Sequence, residues 1–271
     1  MDTKRTLKKF LPPLLLDAFC KKPTHGFFGF YHSWEDAARA STGWQSENVL
    51  EKVCASLLKV RNGNAVYERD SALFDKVQYS WPLLAALQRV ALEHDGHLNV
   101  ADFGGSLGTT YFQNRAFLSS LKSLRWNIIE QKNYVARGKA LFENDVLKFY
   151  EDIKSCLKTT TPHILIASSV IQYLPQPYEQ IRKFIDAGFD YILFDRTSFL
   201  ENEKDKIAIQ KVKPSIYQAT FPIWFFNYRK MIETFQSRYN IVAEFDAFVA
   251  FRYGVSGIPG GDKGFFLKRR V

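Results

Sequence analysis

The chain runs through a strand-like stretch, Leu98-Asn99-Val100-Ala101-Asp102-Phe103, into Gly104-Gly105-Ser106-Leu107-Gly108, and then into a helical pattern that opens at Thr109. Glycines let the backbone turn sharply and let a ligand touch the main chain, while the start of the helix supplies free N–H groups. Ligands of open α/β sheets bind beyond the carboxyl ends of the strands. The segment therefore predicts a ligand-binding turn, although an ordinary strand-to-helix turn would account for the same glycines.

Short apolar runs alternate with helical patterns through the rest of the chain. The strand-like runs cover 98–103, 126–130, 146–150, 163–168 and 191–195, and the helical patterns cover 110–121, 134–142 and 178–187. This alternation predicts a parallel sheet that helices cover on both faces. Two final strand-like runs, 241–251 and 265–268, are joined by a glycine-rich loop without a helix, and we expect them to pair antiparallel.

The first 90 residues carry helical signals instead. Ser33 stands three positions before an acidic residue, Asp36, which indicates a helix start. Apolar residues then recur at the helical period, and these are Val49, Leu50, Val53, Cys54, Leu57 and Leu58. The sequence thus predicts two parts, an N-terminal helical lobe over 1–90 and an α/β domain over 91–271.

Composition limits the class of protein. Of the 271 residues 46% are hydrophobic and 24% charged, which is typical of a globular chain and excludes disorder of the whole. The formal charge of +9 favours anionic partners. Three distant cysteines argue against a disulfide framework and indicate a reducing cytoplasm. The basic and then apolar stretch over 4–19 is compatible with contact with the inner membrane or with a helix packed on its own domain.

The spacing of the glycines and of Glu130 distinguishes between known nucleotide-binding motifs. Glu130 follows Gly108 by 22 residues, about the distance at which an acidic side chain meets a ribose. A nicotinamide-type fingerprint would need glycine at position 103, which is Phe103, and the chain has no GxxxxGK[ST] run. A dinucleotide oxidoreductase is therefore disfavoured, and a P-loop enzyme is excluded.

At these positions the sequence resembles the class I S-adenosylmethionine (SAM)-dependent methyltransferases. Asp102, Gly104 and Gly108 match the first motif of the family, and Ser106 stands where its middle glycine is usual. The resemblance implies a Rossmann-like sheet of seven strands, mostly parallel with an antiparallel last strand, and SAM as the cofactor. It covers residues 98–268.

The resemblance also implies a set of cofactor-binding residues. The Gly104–Gly108 backbone, with Gly105 and Ser106, would approach the methionine part of SAM, and Asp102 its amino group. Glu130, followed by Gln131, would accept hydrogen bonds from the ribose hydroxyls. Asp152 looks like the acidic residue that contacts adenine, with Glu151 as an equally placed rival. Ser168 and Ser169 would line the cofactor cleft.

A narrower resemblance concerns the acceptor. Several segments look like a branch of bacterial methyltransferases associated with surface-polysaccharide biosynthesis, among them 26–29, 33–37, 168–174 and 216–224. This implies O-methylation of a sugar in a glycan precursor, or otherwise of a small molecule. The aromatic insertion over 214–226 would form an acceptor wall, a dimer contact or a loop tucked over the sheet edge.

Three residues are candidates for the base that deprotonates a hydroxyl acceptor. His32 has a suitable ordinary pKa, Asp195 follows a strand end, and Tyr173 follows another. Structural alternatives are a half-buried packing role for His32 and an ion pair between Asp195 and Arg196. We expect no metal site, because His94 and His97 flank a turn without further ligands.

Nucleic acid is the alternative partner. The positive charge and aromatic residues would suit a nucleic-acid-binding module or an RNA-directed methyltransferase. The basic residues are spread over the termini and helices rather than clustered, so a nucleic-acid partner is disfavoured.

Overall fold

The computed structural model describes residues 25–43, 47–214, 216, 218–249 and 252–270. The stretch over 4–19, for which the sequence leaves membrane contact and a packed helix open, lies outside these residues. In the described part of the chain, none of the helices has the length and apolar character that crossing a bilayer requires.

Strands and helices alternate between residues 97 and 200, and most of the elements after residue 200 are strands. The helices are α1 (Trp34–Arg39), α2 (Glu47–Arg61), α3 (Trp81–Glu93), α4 (Thr109–Leu118), α5 (Lys132–Leu141), α6 (Ile153–Leu157), α7 (Pro177–Ala187) and α8 (Tyr228–Phe235). The strands are β1 (Gly26–Tyr31), β2 (Tyr67–Arg69), β3 (Ala72–Phe74), β4 (His97–Phe103), β5 (Ser123–Ile129), β6 (Leu147–Tyr150), β7 (Ile164–Ser168), β8 (Tyr191–Leu200), β9 (Lys206–Lys211), β10 (Thr220–Phe225), β11 (Tyr239–Asp246), β12 (Tyr253–Val255) and β13 (Ile258–Arg269).

The central sheet has the predicted architecture. Its strand order is β11-β13-β8-β7-β4-β5-β6, with β12 paired to β13 at one end. Strands β4 to β8 are parallel, and β13 is antiparallel to both β8 and β11. The Rossmann-like sheet with an antiparallel last strand is therefore confirmed. Strand β7 is almost wholly buried, as expected for a parallel strand covered by helices on both faces.

The N-terminal region is only partly helical, which corrects the prediction. Strand β1 pairs with β9 and, through it, joins β10 in a three-stranded sheet, while β2 and β3 form a hairpin. The partner of β1 lies more than 170 residues away, so a local hydrophobic pattern could not reveal it. The predicted boundary at residue 90 falls inside α3, whose buried residues belong to the same core cluster as β4 and β5.

The aromatic insertion is not an open wall. Its second half is β10, in which Phe221, Ile223 and Phe225 are almost completely buried. Trp224 is half-buried and stacks on Trp34 with 6.1 Å between ring centroids. The prediction of an acceptor wall is therefore wrong for these residues, because their side chains fill the space between the small sheet and its neighbours.

Candidate active site

A cleft of about 340 Å³ lies beyond the carboxyl ends of β4, β5 and β7, beside Arg196 of β8. Its floor is formed by residues at these strand ends and in the turns that follow them, and the β2–β3 hairpin contributes Glu68, Arg69 and Asp70. A volume of this size is typical of a small-molecule site. The predicted ligand-binding edge of the sheet therefore carries a cleft.

The glycine-rich turn lines this cleft with main chain. Gly104 has φ +70°, and a side chain there would collide with Val170. A Cβ on Gly105 would lie 2.5 Å from Cγ of Asp102, so both positions require glycine. Ser106 has φ +55°, a left-handed conformation that favours glycine. The turn brings bare backbone to the cleft surface, as predicted, whereas Gly108 starts α4 and is not among the lining residues.

Glu130 connects the ends of β4 and β5. Its Oε1 accepts a hydrogen bond from the Ser106 N–H at 3.3 Å, and its Oε2 accepts one from the Gln131 N–H at 2.8 Å. Burial raises the pKa of the Glu130 carboxyl above its ordinary value. Both Glu130 and Gln131 line the cleft. Because Ser106 belongs to the glycine-rich turn, its bond to Oε1 holds the Glu130 carboxyl beside that turn.

Asp102 forms the floor beneath the turn. Its side chain is 1% exposed, and its Oδ2 accepts a hydrogen bond from Trp126 Nε1 at 2.9 Å. Burial raises the pKa of Asp102 to about 7, although the bond from Trp126 acts in the opposite direction. The carboxyl is therefore held in place at the end of β4 and lines the cleft.

Of the two rivals after β6, the structure brings Glu151 to the cleft and leaves Asp152 outside it. Asp152 is exposed and caps α6, where its Oδ1 accepts a hydrogen bond from the Ser155 N–H at 2.6 Å. This bond lowers the pKa of Asp152. The carboxylate of Asp152 is thus engaged at a helix start, and Glu151 is the one of the two rivals that lines the cleft.

The fourth strand of the predicted set, β7, ends at Ser168 and is followed by Ser169, and both serines line the cleft. Ser168 Oγ donates to Oδ2 of Asp195 at 3.1 Å, and the Ser169 N–H donates to the Asp195 carbonyl at 2.9 Å. Asp195 itself is 1% exposed and is not among the lining residues. It supports the cleft from below through Ser168.

The other two candidate bases lie in different places. Tyr173 lines the cleft, and its hydroxyl donates a hydrogen bond to Oε1 of Gln210 at 2.7 Å. His32 is exposed after β1 and does not line the cleft. It lies there because the aromatic stretch before it joins the edge of the small sheet. The structure therefore brings Tyr173, and not His32, to the site.

Sequence reasoning missed the residues that the hairpin and β8 add. Glu68 is 1% exposed and accepts hydrogen bonds from Thr109 Oγ1 and from the Ser71 N–H, both at 2.8 Å. Burial raises its pKa to about 7. Arg196 and Asp70 also line the cleft. The short run around Asp70-Ser71 indicates a hairpin, but no local signal places that hairpin over the sheet.

No family model and no curated protein sequence matches the chain. Among solved structures, the N-terminal domain of EvdMO1 with SAH bound is 8% identical, with 68% of this chain and 81% of that chain covered and a TM-score of 0.44. An S-adenosylmethionine-dependent methyltransferase from Clostridium acetobutylicum ATCC 824 is 7% identical, with 68% and 89% covered and a TM-score of 0.43. Magnesium protoporphyrin IX methyltransferase (ChlM) from Synechocystis PCC 6803 with bound SAM is 10% identical, with 84% and 100% covered and a TM-score of 0.42. The fold assignment rests on the strand order and on the antiparallel β13 rather than on these low similarities.

Proposed function

We propose that this protein is a class I SAM-dependent methyltransferase and that the cleft binds SAM. The observation that carries the proposal is the joining of the glycine-rich turn after β4 to the Glu130 carboxylate after β5. This arrangement, which the sequence resemblance implies, offers bare main chain and a hydroxyl-binding carboxylate within one cleft. Such a combination suits an adenosyl group that carries an amino acid.

The residues present fit this cofactor. Gly104 and Gly105 cannot carry side chains, so the backbone of the turn can approach the methionine part closely. Asp102 beneath the turn suits an ammonium group, and Glu130 suits the ribose hydroxyls. Glu151, rather than Asp152, is placed for the adenine contact. The carboxyl groups that line the cleft also favour the positive charge of a sulfonium.

When bound, SAM supplies a methyl group on a positively charged sulfur, which is already an activated leaving group. The residues of the chain then have to hold donor and acceptor in line, exclude water and accept the proton of the acceptor. Tyr173 and Ser168 line the cleft, and the hydroxyl of Ser168 donates a hydrogen bond to Asp195. Glu68 adds another buried carboxyl to the lining of the cleft.

For the acceptor we propose a small molecule, specifically a sugar hydroxyl of a glycan precursor, as the narrower resemblance implies. The charge of the cleft supports a small acceptor over a polynucleotide. Five carboxyl groups and two arginines line it, namely Glu68, Asp70, Asp102, Glu130 and Glu151 with Arg69 and Arg196. Such a surface would repel a phosphate backbone, whereas the excess of +9 lies on the protein as a whole.

Calorimetric titration with SAM and with S-adenosylhomocysteine (SAH) tests the cofactor. We expect binding to the wild-type protein and a loss of about tenfold or more in affinity for Glu130→Gln, because a neutral amide holds the ribose hydroxyls less strongly than a carboxylate. Glu179→Gln, on the outer face of α7, is the matched control and should bind as the wild type does. Absence of heat with both compounds, with the wild-type protein folded, would contradict the proposal.

A further inference from the structure

Asp70 of the β2–β3 hairpin and Arg196 of β8 both line the cleft, and the carboxylate of Asp70 lies near enough to raise the pKa of Arg196. In the sheet, β8 lies two strands beyond β4, on the side opposite to β5. Arg196 directly follows the part of β8 that pairs in parallel with β7. Since neighbouring strands are about 4.8 Å apart, it belongs to a part of the cleft about 10 Å from the glycine-rich turn. This is the side on which an acceptor would meet the methyl group of a cofactor held at β4 and β5.

Asp70 and Arg196 both have a left-handed backbone conformation, which sets the direction of their side chains. Asp70 and Ser71 have φ of 52° and 67° and form the two-residue turn of the β2–β3 hairpin. Arg196 has φ 50° and lies in a bulge, where the register of β8 against β13 shifts. Bulges of this kind redirect a side chain and are frequent beside active sites. The hairpin and β8 thus present opposite charges to one cleft.

Neither charge is paired within the described residues. The Nε of Arg196 donates to Ser168 Oγ at 3.3 Å, but its two Nη groups make no hydrogen bond or ion pair with any described residue. The carboxylate of Asp70 is likewise without a hydrogen-bond or ion-pair partner there. A guanidinium can only donate and a carboxylate can only accept. A ligand that lies between them must therefore offer both an acceptor and a donor.

The electrostatic surroundings of Arg196 disfavour a negatively charged ligand. Burial lowers the pKa of Arg196, but Asp70, Asp195, Tyr67 and Asp262 together raise it by more, so the net shift is upward. The guanidinium is thus already compensated by carboxylates that lie beyond contact distance. An added anion would be attracted by two arginines and repelled by the larger number of carboxyl groups that line the cleft.

We propose that Asp70 and Arg196 form the acceptor subsite and bind neighbouring hydroxyl groups of an uncharged, polyhydroxylated acceptor. The inference rests on the proposed function, since it assigns the acceptor half of the same cleft. A hydroxyl group donates one hydrogen bond and accepts others, so adjacent hydroxyls can donate to Asp70 and accept from the Nη groups of Arg196. Sugars carry such hydroxyl pairs.

Saturation-transfer NMR on the SAH-loaded protein tests this subsite. The probes are glucose, galactose, fucose and rhamnose, with glucuronate, glucose 1-phosphate and inorganic phosphate as charged counterparts. We expect at least one uncharged sugar to bind, and Arg196→Gln and Asp70→Gly each to weaken it by about tenfold, the effect of one lost hydrogen bond to a charged group. Glycine at position 70 accepts the positive φ, so the hairpin turn is kept.

Two control variants separate this effect from changes in charge or folding. Asp95→Gly replaces another aspartate with positive φ, outside the cleft, and Arg182→Gln removes an exposed cation on α7. Both should bind the sugar as the wild type does, and all variants should retain the SAH affinity. Binding of the anionic probes alone, sugar binding that survives in both cleft variants, or no binding of any sugar would overturn the inference. Failure of SAH to bind would instead contradict the proposed function, and the sugars would then be titrated into the unloaded protein.

The carboxylate in the amino acid part of the cofactor is an alternative ligand for the Arg196 guanidinium. If Arg196→Gln weakens SAH but leaves 5′-methylthioadenosine, which lacks the carboxylate, unaffected, Arg196 binds the cofactor and the acceptor assignment is wrong.

Discussion

Left-handed backbone conformations concentrate at single residues around the cleft. In the described part of the chain seven residues other than glycine have positive φ, and four of them line the cleft, namely Asp70, Ser106, Ser169 and Arg196. Such conformations cost free energy and persist where the surrounding structure enforces them. Their clustering at one cleft supports its assignment as the functional site.

The free-energy cost of a left-handed backbone conformation can be measured at Ser106. We expect Ser106→Gly to raise the free energy of unfolding by up to about 1 kcal/mol, because glycine removes the strain of φ +55° but gains freedom in the unfolded chain. Ser119→Gly, at a residue with φ −67°, should lower it instead. Urea denaturation measures both. A destabilised Ser106→Gly would mean that the serine side chain contributes more than its conformation costs.

Asp102 gives the stability a pH dependence with a definite sign. Burial raises its pKa from 3.8 to about 7, so between these values the native state keeps a proton that the unfolded chain releases. The free energy of unfolding should therefore fall as the pH rises through this window, by up to about 1.4 kcal/mol per pH unit for one group. Above pH 7 this contribution should level off.

Asp102→Asn tests that slope. The amide oxygen can still accept the bond from Trp126 Nε1, but the position no longer titrates, so the decline between pH 4.5 and 7 should become shallower. Glu68, whose pKa is also raised to about 7, keeps a residual slope in the same direction. Asp75→Asn, at an exposed position, should leave the profile unchanged. Equal slopes in wild type and Asp102→Asn would show that Asp102 ionises normally in the native state.

At the scale of elements, the β2–β3 hairpin is tied to the first turn of α4. The tie is the hydrogen bond of 2.8 Å from Thr109 Oγ1 to Oε2 of the buried Glu68. Thr109→Val keeps the shape but leaves the carboxyl without this donor, so we expect a loss of about 1–3 kcal/mol in the free energy of unfolding. Thr109→Ser keeps the hydroxyl and should lose less. Equal losses in the two variants would indicate a packing effect and no contribution from the bond.

The start of helix α6 explains why Glu151, and not Asp152, lines the cleft. An acidic residue after the third parallel strand follows the family pattern, and both Glu151 and Asp152 satisfy it. Asp152 is followed at the third position by Ser155, and the two form a capping box at the start of α6. Local hydrogen bonding therefore decides which carboxylate turns toward the cleft. The sequence contains part of this signal, because aspartate is among the preferred N-cap residues of helices.

At the scale of the whole molecule, the N-terminal region and the central sheet share one core. Val49 and Leu57 of α2, Phe221 of β10 and Trp126 of β5 belong to the same buried cluster. We expect one cooperative unfolding transition, with coincident far-UV circular dichroism and tryptophan fluorescence. Two separate transitions would instead support an independently folding lobe over residues 1–90.

Phe221→Ala tests that cooperativity directly. The side chain is completely buried, so the change should cost about 3–5 kcal/mol and shift the single transition without dividing it. Phe117→Ala, at a position that is 42% exposed, should cost less than about 1 kcal/mol. A Phe221→Ala transition that splits by probe would mean that β10 belongs to a separate unit.

The central sheet, its antiparallel last strand and the location of the cleft followed from the amino-acid sequence, since buried parallel strands and glycine-rich turns leave local patterns. The course of β1, the covering hairpin and the position of Arg196 depended on tertiary structure. Strand β1 pairs with β9 across more than 170 residues, and the aromatic side chains of β10 are buried by contacts that no local periodicity contains. Short-range patterns report which face of an element is apolar, but only the packed chain determines which distant element covers it.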